Sequence, residues 1–189
     1  MKQIFFLQGG GEGAHAADGE LVASLRRALG SSYDVRFPTM PDEGEPDYVR
    51  WKPRIAEELA ALPEGAFVAG HSVGASLLLK FLAEEDVKNH VGAVFLLAAP
   101  YWGGDGWRYE GYERVALGEG AAAKLASWPV FLYHGRDDET VPFSHLALYA
   151  KALPHAIIRP LDGRGHQFDN DLSEVAADMK RLADRDAAR

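Results

Sequence analysis

The segment Gly70-His71-Ser72-Val73-Gly74 follows a short apolar run and precedes a helical pattern carried by Leu77, Leu78, Phe81 and Leu82. In that setting a Gly-x-Ser-x-Gly pentapeptide is a sharp strand-to-helix turn that exposes the serine hydroxyl, with Gly70 and Gly74 small enough to let strand and helix approach. The first turn of the following helix directs free N–H groups and its positive dipole end toward the turn, which suits a developing anion. A serine hydroxyl needs a base to take its proton and a third group to orient that base. The bland alternative is a structural turn with an ordinary hydroxyl.

Seven histidines could supply the base. His166 is singled out because it follows Leu161-Asp162-Gly163-Arg164-Gly165, a glycine-punctuated loop at the end of the last apolar run. His134 ends a strand run and is expected to be partly buried, while His15, His71, His90, His145 and His155 read as loop or helix-surface residues. Tyr133-His134-Gly135-Arg136-Asp137-Asp138-Glu139 offers acids just after another run, with Asp138 preferred and Asp137 as the fallback. Ser72, Asp138 and His166 are then expected to follow three successive strands in the order nucleophile, acid, histidine.

An acyl-transfer site also needs two N–H donors for the oxyanion. The amide of Val73, directly after the serine, is one. Gln8-Gly9-Gly10-Gly11-Glu12-Gly13 after the first run presents amides without side chains, with Gly10 the first candidate and Gly11 the second. The same loop, read as Gly9-x-Gly11-x-x-Ala14, weakly matches a dinucleotide fingerprint. Against that reading, the second run ends at Phe37-Pro38 without an acid for a ribose hydroxyl.

The elements that must position these groups are legible as apolar runs at 4–7, 35–37, 66–69, 93–98, 130–133 and 156–161, mostly without polar alternation, as in strands buried on both faces. Helical patterns lie between them: Leu21, Val22, Leu25 and Leu29 before Gly30, and Ile55, Leu59 and Leu62 after Pro53, a proline placed in a first helical turn. Further patterns cover 144–153 and the set Leu172, Val175, Met179 and Leu182. Alternation of strand and helix predicts a three-layer α/β/α sandwich with a mostly parallel sheet of about six strands, with ligands at the carboxyl ends of the strands. Residues 100–128, with Tyr101, Trp102, Trp107, Tyr109, Tyr112 and Trp128 among glycines, break the alternation and read as an excursion over the sheet edge. Residues 1–189 form one domain on this reading, and the final Ala-Asp-Arg-Asp-Ala-Ala-Arg is expected to fray.

The 189 residues carry a formal charge of −8, which disfavours nucleic acid and anionic membrane surfaces as partners. There is no cysteine, which excludes disulfides, thiolate metal sites and a cysteine nucleophile. The apolar run at 4–7 is far too short for a signal-peptide core and no run reaches a membrane span, so a cytoplasmic location is expected.

Gln8–Gly13, Gly70-His71-Ser72-Val73-Gly74-Ala75-Ser76, His134–Pro142 and Gly163-Arg164-Gly165-His166-Gln167-Phe168 together resemble the α/β-hydrolase superfamily, in a compact branch similar to the retinoblastoma-binding-protein-like serine hydrolases. The family pattern Gly-x-x-Asp-x-x-Val-Pro falls on Gly135, Asp138, Val141 and Pro142, which favours Asp138. Where most relatives start the oxyanion loop with His-Gly, this chain has Gln8-Gly9, and it lacks room for a large cap. The resemblance implies a carboxylesterase that acts on a small-molecule ester through an acyl-enzyme, with no metal or organic cofactor. Tyr101, Trp102 and Trp107 are candidates to wall the substrate pocket, or else to pack the excursion onto the sheet. Amide or thioester hydrolysis, acyl transfer, a nucleotide-dependent enzyme and a non-catalytic interaction protein are the rival readings.

Overall fold

A computed structural model describes residues 1–87 and 91–187; His90 lies outside the described residues. Six strands form one sheet: β1 (Lys2–Leu7), β2 (Tyr33–Arg36), β3 (Phe67–His71), β4 (Ala93–Leu97), β5 (Val130–Gly135) and β6 (Ile157–Leu161). Their order is β2-β1-β3-β4-β5-β6 and every pairing is parallel. The helices are α1 (Ala14–Leu29), α2 (Tyr48–Ala60), α3 (Ser72–Glu84), α4 (Ala121–Leu125), α5 (Ser144–Ala152) and α6 (Ser173–Ala187). The expected sandwich is the observed one.

The unbroken apolar runs are explained by the two layers of helix. Successive strand residues point to opposite faces. Thus Ile4, Phe6, Phe67, Ala69, Phe95 and Leu97 join a core with Leu21, Leu25, Val175 and Met179 of α1 and α6. Phe5, Leu7, Val68, Val94 and Leu96 join the opposite core with Trp51, Ile55, Leu78, Leu125 and Leu146 of α2 to α5. The chain leaves β1 toward β2 but leaves β3 toward β4, so the direction of winding reverses between β1 and β3. At such a switch point the loops at the carboxyl ends diverge and open a crevice.

Several boundaries differ from those read in the sequence. Pro53 is not in a first turn, because α2 begins at Tyr48, where the Asp47 carboxylate accepts the Arg50 N–H at 3.0 Å and caps the helix. Residues 100–128 do not cross the sheet edge. They form the β4–β5 connection, which contains α4 and packs against the face built by α3. The terminal segment expected to fray is helical through Ala187, with residues 188–189 outside the described residues. No helix among the described residues is long and apolar enough to cross a membrane.

Candidate active site at the sheet switch point

Ser72 is the first residue of α3 and has φ 50, a left-handed conformation that costs a side-chain-bearing residue energy and is tolerated where the surroundings enforce it. The enforcement is close packing at the two glycines. A Cβ on Gly74 would sit 1.9 Å from the Gln8 carbonyl oxygen, and one on Gly70 would sit 2.8 Å from Ala75 Cα. The elbow is therefore wedged between β1 and its own helix. Among the described residues no carbonyl accepts the Val73 N–H, as expected in the first turn of a helix.

Ser72 Oγ lies 3.0 Å from His166 Nε2, and His166 Nδ1 lies 2.9 Å from Asp138 Oδ2. Asp138 Oδ1 accepts the N–H groups of Thr140 and Val141 at 2.9 and 2.8 Å, and His134 Nε2 stands 3.2 Å from Oδ2 while also facing the Val141 carbonyl at 2.9 Å. The Asp138 carboxylate is fully buried, whereas Asp137 is exposed and only its amide is engaged, on the Arg164 carbonyl. Burial pushes the Asp138 carboxyl up, but hydrogen bonds from His134, His166 and the Val141 amide outweigh it and hold the group far below the usual carboxylate range. Burial is also the main cause that lowers His166 below an ordinary imidazole, only partly opposed by Asp138. The pair is thus an ionised carboxylate holding a neutral, half-buried imidazole against a serine hydroxyl. Ser72, Asp138 and His166 follow β3, β5 and β6 rather than three successive strands, because β4 lies between and leads into the 100–128 connection.

Of the three glycine amides after β1, two are spent. Gly9 N–H donates to Asp18 Oδ2 at 2.7 Å and Gly11 N–H donates to the Glu43 carbonyl at 2.7 Å. Gly11 therefore has no N–H to offer an oxyanion, while Gly10 has no hydrogen-bond partner among the described residues and would meet Val73 Cβ at 3.3 Å if it carried a Cβ. Gln8 supports the loop in the place of the usual histidine: fully buried, it donates to Glu43 Oε2 at 2.7 Å and accepts the Met40 N–H at 2.9 Å. Glu43 also accepts the N–H groups of Gly13 and His15 at 3.1 and 2.8 Å. A dinucleotide pyrophosphate would use that helix N-terminus, and here a carboxylate of the chain already occupies it.

The aromatic residues separate by position. Trp107 lines a cavity of about 230 Å³ together with the glycine loop, Ser72, Val73 and His166. Tyr101 does not line it: its amide donates to His145 Nδ1 and its ring packs edge-on against Tyr149. Trp102 is likewise absent from the lining, donating its indole N–H to Ser76 Oγ at 3.0 Å and supporting the Trp107 ring edge-on. Two histidines read as surface groups are buried. His145 bridges the Tyr101 amide and the Asp105 carbonyl, and His71 lies against the His166 ring at 4.8 Å between centroids. Asp18, one turn into α1 and without any sequence signal, is buried beside His71.

The chain matches the model of the serine hydrolase family over residues 22–173, a span that holds Ser72, Asp138 and His166 but begins after the glycine loop. The chain belongs to that family, and its fold is the α/β-hydrolase fold in minimal form. No curated protein sequence matches it. Among solved structures it is similar to the ydeN gene product of B. subtilis, at 17% identity and TM-score 0.73 over 97% of this chain and 100% of that one. It is also similar to Est1E of Butyrivibrio proteoclasticus with ferulic acid bound (18%, TM-score 0.70, 100% and 90%). A third likeness is to the esterase domain of a Rhodothermus marinus protein (22%, TM-score 0.65, 97% and 86%). At these identities the likeness establishes fold alone.

Proposed function

We propose that the protein is a carboxylesterase that cleaves small esters through an acyl-enzyme on Ser72. The observation that carries the reading is the hydrogen-bonded chain Ser72 Oγ, His166, Asp138, at 3.0 and 2.9 Å, on a left-handed elbow. His166 Nε2 takes the Ser72 proton as Oγ attacks the ester carbonyl, and the oxyanion is held by the N–H groups of Val73 and Gly10. Collapse expels the alcohol, protonated by His166. A water then gives its proton to His166 and its oxygen to the acyl carbon, and the acid leaves as Ser72 regains its proton. Asp138 stays ionised throughout and stabilises the imidazolium that forms at each step.

The open rim and the small cavity walled by Trp107 suit a compact acyl group and give water ready access, which supports hydrolysis over acyl transfer to an alcohol. One of the similar structures is described as an esterase domain, which agrees with this choice. The test is fluorophosphonate labelling of the native protein, Ser72→Ala and His166→Ala, followed by turnover of nitrophenyl esters, thioesters and amides of rising acyl length. Labelling of the native protein alone, with short esters turned over fastest, is expected. Absence of labelling would sink the serine-hydrolase chemistry, and a preference for thioesters or amides would sink only the ester assignment.

A further inference from the structure

Beneath the proposed site lies a second acid–histidine contact that the mechanism above does not use. The side chains of His71 and Asp18 are each 1% exposed, with His71 Nδ1 2.9 Å from Asp18 Oδ1. The separation is short enough for an ion pair if the ring is protonated, but Nδ1 makes no well-aligned hydrogen bond there. On the other side of the ring, His71 Nε2 is 3.0 Å from the backbone carbonyl of His166. A carbonyl only accepts, so Nε2 carries a proton. A neutral ring would then turn the bare Nδ1 lone pair toward a carboxylate oxygen inside the protein, an arrangement that repels and leaves both groups unsatisfied. A second proton on the ring removes the conflict. Asp18 is engaged as an acceptor on both oxygens, from Gly9 N–H on Oδ2 at 2.7 Å and from Gln167 Nε2 on Oδ1 at 3.2 Å, as suits an ionised carboxylate.

We propose that His71 and Asp18 form a buried imidazolium–carboxylate pair, and that His71 is thereby a positioning residue that holds the His166 loop on the elbow and favours the neutral, proton-accepting His166 ring. This rests on the reading of Ser72 and His166 as nucleophile and base. The pair ties together three segments that meet only in the fold: Gly9 of the glycine loop, the elbow through His71 itself, and the histidine loop through the His166 carbonyl and Gln167. It also commits the Gly9 amide to Asp18, while the Gly10 amide has no partner among the described residues.

The charge has a direct effect on the base. The His166 ring faces Asp138 from the loop after β5, His134 at the end of β5, Ser72 on α3 and His71 on β3. The His71 ring faces Asp18 on α1, the His166 loop and, farther off, Asp138. Burial acts to lower His71, but the Asp18 carboxylate outweighs it and raises the ring above an ordinary imidazole. A fixed positive charge with its ring centroid 4.8 Å from that of His166 opposes a second positive charge there, and so keeps His166 neutral to lower pH.

The experiment combines imidazole nitrogen NMR with pH profiles of kcat/KM for nitrophenyl acetate, on the native protein, Asp18→Asn and His71→Gln. In the native protein both His71 nitrogens are expected to carry protons at neutral pH, where an ordinary imidazole is mostly neutral, while in Asp18→Asn the ring carries a single proton at the same pH. In both variants the acid limb of kcat/KM is expected to move up by on the order of one pH unit, a roughly tenfold loss on the limb and a smaller one at the alkaline plateau. A native His71 with a single proton at neutral pH overturns the proposal, and so does an acid limb that stays in place in both variants while only thermal stability falls. Should His71→Gln fail to fold, Asp18→Asn and the native spectrum decide. A native protein that takes no fluorophosphonate refutes the role of Ser72 instead, and the NMR result still decides whether the ion pair exists.

Discussion

Replacing Asp138 by asparagine isolates the orienting group with little change of shape. Asp138 Oδ1 accepts two backbone N–H groups, those of Thr140 and Val141, at 2.9 and 2.8 Å, so the asparagine must keep its carbonyl oxygen on that side. Its NH2 is thereby forced to the position of Oδ2, 2.9 Å from His166 Nδ1, where it donates and turns Nδ1 into an acceptor. His166 then carries its proton on Nε2, facing Ser72 Oγ at 3.0 Å, and cannot accept another. The wrong tautomer in an intact serine–histidine–acid site costs about 10⁴ in kcat, or about 5.5 kcal/mol of barrier. Stopped-flow release of nitrophenol measures the acylation rate, and circular dichroism melting checks that the fold survives. Asp137→Asn, which changes an exposed side chain, is expected to stay within about twofold of the native rate. An Asp138→Asn rate within about tenfold of native, in a folded protein, would show that Asp138 does not set the His166 tautomer.

Because burial lowers His166 more than Asp138 raises it, and the base works when neutral, activity should persist below the ordinary imidazole value of about 6.5 and be lost as pH falls through the lowered value. A kcat/KM profile whose acid limb lies above about pH 7 contradicts this. Gly74→Ala puts a Cβ 1.9 Å from the backbone oxygen of Gln8, which cannot rotate away, so the cost should reach or exceed the ~1–3 kcal/mol of ordinary overpacking; a melting temperature equal to native would show that the elbow is loose. Asp178→Ala removes a buried carboxylate that accepts from Tyr133 and Arg159 at 2.8 Å each and should destabilise by about 2 kcal/mol at neutral pH by urea unfolding. Since Asp178 is lowered on folding, against burial and mainly through Arg159 and Tyr133, its stabilisation is present above the unfolded value of about 3.9 and is lost as pH falls through the folded one. A native-to-variant difference that persists unchanged at the acid end would contradict that sign.

The parts of this molecule that local sequence could reveal are those set by local forces. The apolar runs of β1, β3, β4 and β5 are long, uniform and buried on both faces, and the elbow carries its own punctuation in Gly70 and Gly74. The start of α2 was obscured because Pro53 reads as a first-turn residue, while the real start depends on an Asp47 cap inside an acid- and proline-rich stretch. Which glycine amide stays uncommitted could not be read from Gly9-Gly10-Gly11, since the choice is made by Asp18 and Glu43, 9 residues after Gly9 and 32 after Gly11. His71 and His145 look like surface residues because burial of a polar ring depends on partners from other elements, here Asp18, the His166 carbonyl and the Tyr101 and Asp105 backbone. Tyr101 and Trp102 resemble pocket walls by type, yet their hydrogen bonds to His145 and Ser76 turn them to packing and leave Trp107 at the cavity.

On the proposed mechanism Ser72 takes the acyl group with His166 as its base. The most direct measurement is acid quenching of the protein with nitrophenyl acetate in the pre-steady state, followed by mass spectrometry of the proteolytic peptides. One acetyl group is expected on the peptide that contains Ser72, formed in a burst equal to the enzyme concentration and absent from Ser72→Ala and His166→Ala. Acetylation of another residue, or an undiminished burst in Ser72→Ala, would contradict it.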